Sequence, residues 1–377
     1  MKLFEVYSRF PLEIIKAKDC LLWDQNGKQY LDFYGGHAVI SIGHGHAHYQ
    51  ELITKQLSLI GFYSNSVQNP LQERLAELLG KVSGYTDYEL FLCNSGAEAN
   101  ENAFKIASFF TGKKKFIAFK GAFHGRTSAA VAATDDFSIV APVNESENFI
   151  FCEFNNPTMF SKLVEQYKDS LAGVIIEGIQ GIGGIHFPSS AILETLAALS
   201  EKHGFLTILD EVQSGYARSG RFFAHQYSAI EPDLITIAKG MGNGFPVGGV
   251  LIHPRIPSKK KMLGTTFGGN YLACAASIAV LEVIEKENLA KNAEVLGSYL
   301  LEELGKIPQI KQARGKGLMI GIDFEGPASE IAQKLRVEHG ILVGSASNPH
   351  TMRLLPPLTI SKEQVDQLLY ALKQILE

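Results

Sequence analysis

The sequence predicts an α/β protein in which a large, doubly wound, mostly parallel sheet domain carries a smaller C-terminal α/β lobe. Short apolar runs without polar alternation recur along the chain, as expected of parallel strands that are covered on both faces. Segments with apolar residues at helical spacing separate these runs, which is typical of βαβ units. Because 377 residues exceed one typical domain, we expect an N-terminal segment over 1–50, a large domain over 51–270 and a small domain over 271–377.

The N-terminal segment is predicted to form a β-hairpin. Its two apolar-rich runs, 21–24 and 29–33, are joined through Asn26-Gly27. This dipeptide readily supplies the positive φ angles of a tight turn. A small antiparallel element therefore precedes the large domain.

The large domain is predicted from five buried strands and the helices between them. The strands are expected at 89–92, 115–119, 173–176, 205–209 and 234–238. A helix over 190–203 has apolar residues at helical spacing and ends at Gly204, a residue type that often terminates helices.

Beyond Tyr271 the pattern predicts the C-terminal lobe. We expect a long helical region to about residue 304, a strand over 318–324, a helix over 329–338 and a last helix from Ser361. Ser361 and Gln364 form a capping box at the start of that last helix.

Composition and charge exclude several classes of function. The formal net charge is −4, and the basic runs at 113–115 and 259–261 are short and lack interleaved aromatic residues, so nucleic-acid binding is not expected. No stretch has the roughly 20 apolar residues of a membrane span, and the first residues lack the apolar core of a signal peptide. Four widely spaced cysteines favour neither a disulfide framework nor a zinc site, so we expect reduced thiols in the cytoplasm.

His44, His46 and His48 alternate along a glycine-rich turn and could suggest a metal site. No acid or cysteine stands among them. We therefore interpret them as structural histidines and expect no metal ion.

Residues 90–100 form the first segment with candidate chemistry. An apolar strand passes through Ser95-Gly96-Ala97 into a helix that ends near Gly112. The free N–H groups and the positive dipole end of such a helix suit a phosphate, although an ordinary strand-to-helix turn would show the same pattern.

Two further segments place charged side chains at strand ends. Asp210 follows a buried strand, where open α/β sheets bind their ligands. A protonated pyridinium nitrogen would satisfy this carboxylate, and so would a helix N-cap or a metal-binding pair with Glu211.

Lys239 ends another apolar strand and is followed by glycines at 240, 242 and 244. Most such lysines are solvated, but partial removal from water lowers an amine pKa and favours imine formation with an aldehyde.

Together the three segments match the groups of pyridoxal 5'-phosphate (PLP), which are a phosphate, a pyridine nitrogen and an aldehyde. We therefore expect PLP as the cofactor. Lys239 would hold it as an imine and Asp210 would keep its ring nitrogen protonated, so these two residues are the expected catalytic residues.

These segments resemble those of the class III, ornithine-type aminotransferases of PLP fold type I, over nearly the whole chain. The resemblance implies a set of cofactor-binding residues: Ser95, Gly96, Ala97, Phe123, His124, Asp210, Val212, Gln213, Lys239 and Thr266. In this family Phe123 would stack on the ring and Gln213 would lie near the ring hydroxyl. Thr266 would bind the phosphate held in the neighbouring subunit, which implies a homodimer with a shared active site.

The same resemblance implies substrate contacts from Arg126, Thr265, Glu177 and Arg353. Arg126 would take the substrate α-carboxylate, and Arg353 would receive that of glutamate or 2-oxoglutarate. The arginine at 126 points toward the acetylornithine and ornithine enzymes of the family rather than the whole class.

The implied reaction is transamination of N-acetyl-L-ornithine with 2-oxoglutarate, which yields N-acetyl-L-glutamate 5-semialdehyde and glutamate in arginine biosynthesis. N-succinylornithine, ornithine and 4-aminobutyrate are alternative amino donors. A non-catalytic PLP-binding regulatory protein is the alternative of another class.

Two positions depart from the family pattern. Ile182 stands where the family usually has a glutamate that pairs with the arginine at 353, and isoleucine cannot form that pair. His37 stands where ornithine-specific relatives tend to have tyrosine and acetylornithine relatives an aliphatic residue. Because Ile182 cannot pair with Arg353, we expect the family's switch, in which that glutamate leaves the arginine when the substrate glutamate binds, to be absent or to depend on another acid.

Overall fold

The computed structural model describes residues 1–377. The strands are β1 (Ile14–Lys18), β2 (Leu21–Asp24), β3 (Gln29–Asp32), β4 (Glu89–Cys93), β5 (Lys115–Phe119), β6 (Phe149–Cys152), β7 (Leu171–Glu177), β8 (Leu206–Asp210), β9 (Leu234–Ile237), β10 (Gly248–Ile252), β11 (Ile310–Lys316), β12 (Met319–Phe324), β13 (Ile341–Leu342), β14 (Gly344–Ser345) and β15 (Thr351–Leu354). The helices are α1 (Gly35–Ala38), α2 (Ala47–Leu59), α3 (Pro70–Ser83), α4 (Gly96–Thr111), α5 (Ser128–Ala132), α6 (Pro157–Tyr167), α7 (Ser190–His203), α8 (Tyr271–Lys286), α9 (Leu289–Leu304), α10 (Ala328–Glu338) and α11 (Lys362–Leu376).

The large sheet has seven strands in the order β4-β10-β9-β8-β7-β5-β6. Neighbouring strands from β9 to β6 run parallel, whereas β10 is antiparallel to both β4 and β9. All five strands expected in this domain are present, and β6 and β10 are two that the sequence analysis did not predict. The expectation of a mostly parallel sheet is therefore confirmed.

Helices cover both faces of this sheet. Along β7, Val174 and Ile176 pack on the side of α6 and α7, whereas Ile175 packs on the side of α4. All three side chains are buried, and each contributes about 1.5–3 kcal/mol by leaving water. Burial on both faces is the reason that these strands lack polar alternation.

The predicted hairpin is present as β2 and β3, which pair antiparallel. Gly27 in the turn has a φ of +79°. The strand β1 extends this sheet on one side, and β13 pairs with β3 in parallel on the other, with Ile341 opposite Leu31. The N-terminal hairpin therefore shares a sheet with the C-terminal lobe.

The C-terminal lobe has its own antiparallel sheet in the order β11-β12-β15-β14. The helical region expected after Tyr271 consists of two helices, α8 and α9, which Asn288 separates with a left-handed φ of +52°. The capping box of α11 is present, since the Ser361 hydroxyl accepts the N–H of Gln364 and the Gln364 side chain accepts the N–H of Ser361.

No helix of this structure combines the length and the apolar character that a membrane crossing requires. The four cysteines are buried and free. The proposed domain boundaries at residues 50 and 270 stay predictions.

Candidate active site

A cavity of about 380 Å³ lies at the carboxyl ends of β4, β5, β7, β8 and β9. The wall of this cavity includes eleven of the residues expected at the site: Ser95, Gly96, Ala97, Phe123, His124, Arg126, Glu177, Asp210, Val212, Gln213 and Lys239. Ligands bind at this edge in open α/β sheets because the loops that follow parallel strands converge there. The structure thus brings together residues that are far apart in the sequence.

The helix α4 begins at this cavity. Ser95 caps the helix, and its hydroxyl accepts the N–H of Glu98 at 3.2 Å. The first-turn N–H groups of Gly96 and Ala97 have no helical carbonyl to bond, so they are available to an anion. Gly96 also permits close packing, because a Cβ atom there would lie 2.6 Å from Val212 Cγ1.

Asp210 is buried at the end of β8, and three donors surround its carboxylate. Oδ2 accepts from Asn100 Nδ2 at 2.9 Å and lies 2.8 Å from His124 Nδ1, while Oδ1 accepts from the N–H of Val212 at 3.0 Å. An ionised carboxylate has about four lone-pair sites, so one remains for a ligand.

Asn100 is a site residue that the sequence analysis missed. It is 1% exposed and lies among buried alanines on the inner face of α4. An amide at a position that the helical pattern assigns to the core is the signal that could have identified it.

Lys239 follows β9 and has a left-handed φ of +47°. Such a backbone costs a non-glycine residue about 1–3 kcal/mol and is found most often at functional sites. Burial lowers the pKa of Lys239 to about 8, although Asp210 and Glu177 oppose this shift. About a tenth of the amine is therefore neutral, and nucleophilic, at pH 7, far more than for an ordinary lysine.

Glu177 is buried at the end of β7, where it pairs in register with Asp210. Its carboxylate accepts the N–H of Phe123 at 3.1 Å and the N–H of Gly181 at 2.8 Å. Burial raises the pKa of Glu177 to about 7, against the lowering effect of His124. Glu177 therefore holds two segments of the cavity wall and titrates near neutral pH.

Phe123 and Arg126 form the outer part of the cavity wall. The guanidinium carbon of Arg126 lies 6.0 Å from the centroid of the Phe123 ring. Arg126 is exposed and Phe123 is half-buried. A cation at the mouth of the cavity, beside an aromatic face, suits a carboxylate that enters from solvent.

Arg353 is 1% exposed and lies behind the cavity wall rather than in it. Its Nε donates to the carbonyl of Ser345 at 2.5 Å, and its Nη1 donates to Gln213 Oε1 at 3.1 Å. Both partners are neutral, and burial lowers the pKa of the guanidinium. Gln213 therefore separates Arg353 from the cavity, and the half-buried Ile182 lines the cavity without a polar group.

Thr265 and Thr266 lie outside the cavity wall. Thr265 Oγ1 accepts from the N–H of Gly268 at 3.0 Å and from Asn94 Nδ2 at 3.4 Å, so it fixes the loop against the start of α4. Thr266 is exposed. Neither hydroxyl belongs to the cavity of a single chain.

The side chain of His37 also lies outside the cavity wall, where it contacts the Tyr34 hydroxyl. Its backbone carbonyl accepts from Gln213 Nε2 at 3.1 Å. Burial lowers the pKa of His37, and Lys239 and Arg353 add to this effect. The backbone of His37, rather than its imidazole, therefore supports the site.

The three alternating histidines do not converge. His44 lies 3.0 Å from Asp32, His46 lies 3.0 Å from Glu287, and His48 lies 2.6 Å from Glu282. Each imidazole thus has a carboxylate partner from elsewhere in the chain. No group of three or more histidine, cysteine or acidic side chains is arranged to hold a metal ion.

Comparison with known proteins agrees with this geometry. The family model described as aminotransferase class-III matches residues 5–376. The acetylornithine aminotransferase of Bacillus subtilis is 41% identical, and the match covers 99% of this chain and 97% of the relative. The acetylornithine aminotransferase of Archaeoglobus fulgidus is 40% identical, with coverage of 97% and 96%.

A solved structure shares the fold. It is an ornithine aminotransferase from Toxoplasma gondii with partially occupied PLP at its active site, and it superposes with a TM-score of 0.91 at 28% identity. The superposition covers 98% of this chain and 90% of the other. The predicted fold class and the predicted resemblance are confirmed, and the chain belongs to the class III aminotransferases, an enzyme family that depends on pyridoxal 5'-phosphate.

Proposed function

We propose that this enzyme transfers the δ-amino group of N-acetyl-L-ornithine to 2-oxoglutarate. The products are N-acetyl-L-glutamate 5-semialdehyde and glutamate, and the role is in arginine biosynthesis. One observation carries the proposal: a single cavity combines the start of α4, Asp210 and Lys239 with Arg126 at its mouth and Arg353 behind Gln213. The full-length identity of about 40% to two acetylornithine aminotransferases supports the choice of donor.

The residues of the cavity fit PLP. The N–H groups at Gly96 and Ala97 would hold its phosphate, with the Ser95 cap fixing their direction. Asp210 keeps a lone pair for the ring nitrogen, and the Lys239 amine would bond the aldehyde carbon. Phe123 would stack on the ring, while His124, Val212 and Gln213 complete its surroundings.

The chain supplies the proton transfers and the orientation of the substrate. When bound, PLP provides an aldehyde for the amino group and a ring that withdraws electrons from the adjacent carbon. The Lys239 amine, with a pKa of about 8, can take a proton from the substrate carbon and return it near neutral pH. Arg126 would hold the carboxylate of the acylated donor so that the δ-amine reaches Lys239.

The acceptor would use Arg353. A carboxylate of 2-oxoglutarate would replace Gln213 Oε1 as the partner of the guanidinium, which exchanges a neutral acceptor for an anionic one. Glu177 would support this side by holding the backbone at Gly181. Thr265 would act indirectly, since it positions the loop beside Asn94.

A single-turnover absorbance assay tests the donor. N-acetylornithine, N-succinylornithine, ornithine and 4-aminobutyrate are each mixed with the PLP-loaded enzyme, and the visible band of lysine-bound cofactor is followed. We expect N-acetylornithine to remove the band fastest. Faster loss with another donor would overturn the substrate assignment, and no loss with any donor would favour a PLP-binding protein without turnover.

We also propose a homodimer in which Thr266 contributes to the phosphate site of the partner subunit. Thr266 is exposed, and next to it Phe267 packs against Phe62 with ring centroids 5.3 Å apart. Both rings are exposed, at 60% and 43%. An exposed aromatic pair beside a polar group is typical of an interface.

Mixed dimers test the shared site. One subunit carries Lys239→Ala and the other carries Thr266→Ala, so a site shared between subunits leaves one intact site in each mixed dimer. We expect about half of the wild-type cofactor and activity. If both groups belonged to the same subunit, no intact site would remain and activity would be lost.

We further propose a cytoplasmic location for the enzyme. Its four free cysteines suit a reducing compartment. Fractionation of the producing cell tests this location.

A further inference from the structure

Asn100 is a buried polar residue of the cavity wall for which the proposed mechanism has no use. It is 1% exposed, and its Nδ2 donates to two acceptors, the His124 carbonyl at 2.7 Å and Asp210 Oδ2 at 2.9 Å. Its Oδ1 has no hydrogen-bond partner in the protein. Burial of a half-satisfied amide costs about 1–3 kcal/mol, so the position serves something other than stability alone.

The two acceptors of Asn100 belong to different parts of the site. Asp210 ends β8, whereas His124 follows β5 and is the neighbour of Phe123. Asn100 itself lies on α4, the helix whose first turn faces the cavity. One amide therefore links the helix start, the carboxylate and the segment that carries the aromatic ring.

The contacts of Asn100 help to fix the orientation of the Asp210 carboxylate and its distance from the start of α4. A carboxylate can rotate about its own bond, but donors from Asn100, His124 and Val212 hold both of its oxygens. Since α4 is rigid from Gly96 to Asn100, the distance between the anion-binding turn and the carboxylate is also set.

We propose that Asn100 is a positioning residue for the pyridine nitrogen of the cofactor. It acts through Asp210, by aiming the one free lone pair of that carboxylate at the ring nitrogen while the phosphate sits on α4. This inference rests on the proposed function and adds a residue to it. Loss of Asn100 leaves the phosphate site and Lys239 intact but removes one of the two partners of Asp210 Oδ2. The carboxylate is then oriented by His124 and Val212 alone and is held less firmly toward the ring.

Asn100→Ala tests the proposal in the PLP-reconstituted enzyme. We expect kcat to fall about 10- to 100-fold, the range typical when a group that orients a direct ligand is removed. The KM for the donor should change little, because Arg126 is untouched. The absorption maximum of lysine-bound cofactor changes with pH, and the midpoint of that titration depends on the charge at the ring nitrogen. We expect this midpoint to shift in Asn100→Ala.

Asn102→Ala is the matched control. Asn102 lies on the same helix, and its Nδ2 donates only to the Glu98 carbonyl, at 2.8 Å. This variant should keep the wild-type kcat and the wild-type pH titration of the band. A structural role for α4 amides in general would affect both variants alike.

The outcomes separate this inference from the proposed function. If wild type binds PLP and turns over while Asn100→Ala keeps the same kcat and the same band titration, the positioning role is overturned and the enzyme assignment stands. If wild type forms no band with PLP, the proposed function itself fails. If Asn100→Ala does not fold, Asn100→Ser tests the same prediction, because the shorter serine side chain cannot reach both acceptors.

Discussion

At the scale of single residues, Lys239 combines a strained backbone with a partly neutral amine. We predict that Lys239→Ala removes the visible band of lysine-bound cofactor and lowers turnover by several orders of magnitude, because the bond to the aldehyde and the proton transfer use the same nitrogen. Lys316→Ala is the control, since Lys316 lies over the Tyr227 ring and outside the cavity. Retention of both band and turnover in Lys239→Ala would refute the assignment.

Glu177 makes the stability of the fold depend on pH. Its pKa is raised from 4.5 to about 7, so between these values the native state binds a proton that the unfolded chain has released. The free energy of unfolding therefore falls as the pH rises from about 4.5 to 7, by an upper limit of about 3 kcal/mol.

Urea unfolding at pH 5 and pH 8 measures this effect. We predict that Glu177→Gln has a smaller difference between the two pH values than wild type, because glutamine does not titrate. Glu153→Gln, at an exposed position, should behave as wild type. An unchanged difference in Glu177→Gln would show that Glu177 is not the source.

The two hydrogen-bond partners of Arg353 are neutral, and the side chain of Ile182 offers it no acidic group. We predict that Ile182→Glu gives the guanidinium an acidic partner that 2-oxoglutarate must displace. The KM for 2-oxoglutarate should rise about tenfold, equivalent to about 1.4 kcal/mol, while the KM for the acylated donor changes less. Steady-state kinetics on both substrates measure this difference, with Ile182→Val as the control. Equal effects on the two KM values would contradict the role given to Arg353.

At the scale of elements, the packing of α4 against the loop after β8 depends on Gly96. A Cβ atom there would lie 2.6 Å from Val212 Cγ1. We predict that Gly96→Ala weakens PLP binding about tenfold by pushing the two segments apart, and that Val212→Ala in the same chain restores part of the affinity. Cofactor titration of the apoenzyme measures both.

Gly112 provides the control for that prediction. It ends α4 in a left-handed conformation, and a Cβ atom there would meet nothing within 4 Å. Gly112→Ala should reduce stability by about 1 kcal/mol without changing PLP affinity. If Gly96→Ala and the double variant bound PLP equally, the contact with Val212 would not be the cause.

The strands of the large sheet could be predicted because burial on both faces leaves an uninterrupted apolar run in the sequence. The strand β10 was missed although it is apolar, because Gly248-Gly249 at its start and Pro246 before it resemble a loop. The break between α8 and α9 depends on the left-handed backbone of one residue, Asn288. Such a local feature leaves no periodic pattern.

Site residues were predictable where a family motif or a strand end marked them, as for Lys239 and Asp210. The contacts of Asn100 with Asp210 and of Gln213 with Arg353 span 110 and 140 positions, so no local pattern reports them. The sequence likewise could not show that Arg353 lies behind Gln213 instead of in the cavity wall.

At the scale of the whole molecule, Arg218 joins three parts of the chain. It is 2% exposed and donates to the carbonyls of Leu318, Pro356 and Ile40. Burial lowers its pKa to about 10. The guanidinium therefore links the loop after β8 to the C-terminal lobe and to the N-terminal segment.

We predict that Arg218→Met lowers the free energy of unfolding by about 2–4 kcal/mol, because it leaves buried carbonyls without donors. Chemical denaturation measures this loss. Arg221→Met, at an exposed position nearby, should change stability by less than about 0.5 kcal/mol. Equal stability of the two variants would show that the Arg218 contacts add nothing.

The pairing of β3 with β13 has a consequence for the order of folding during synthesis. Leu31 leaves the ribosome early, but its partner Ile341 is made near the end of the chain. At a synthesis rate of roughly 5–20 residues per second, the β3 edge of the N-terminal hairpin stays unpaired for tens of seconds. The seven-stranded sheet is complete in sequence by Ile252, so it can fold first. The hairpin edge can close only after Ile341 has been made, and until then it presents unpaired backbone groups to other chains.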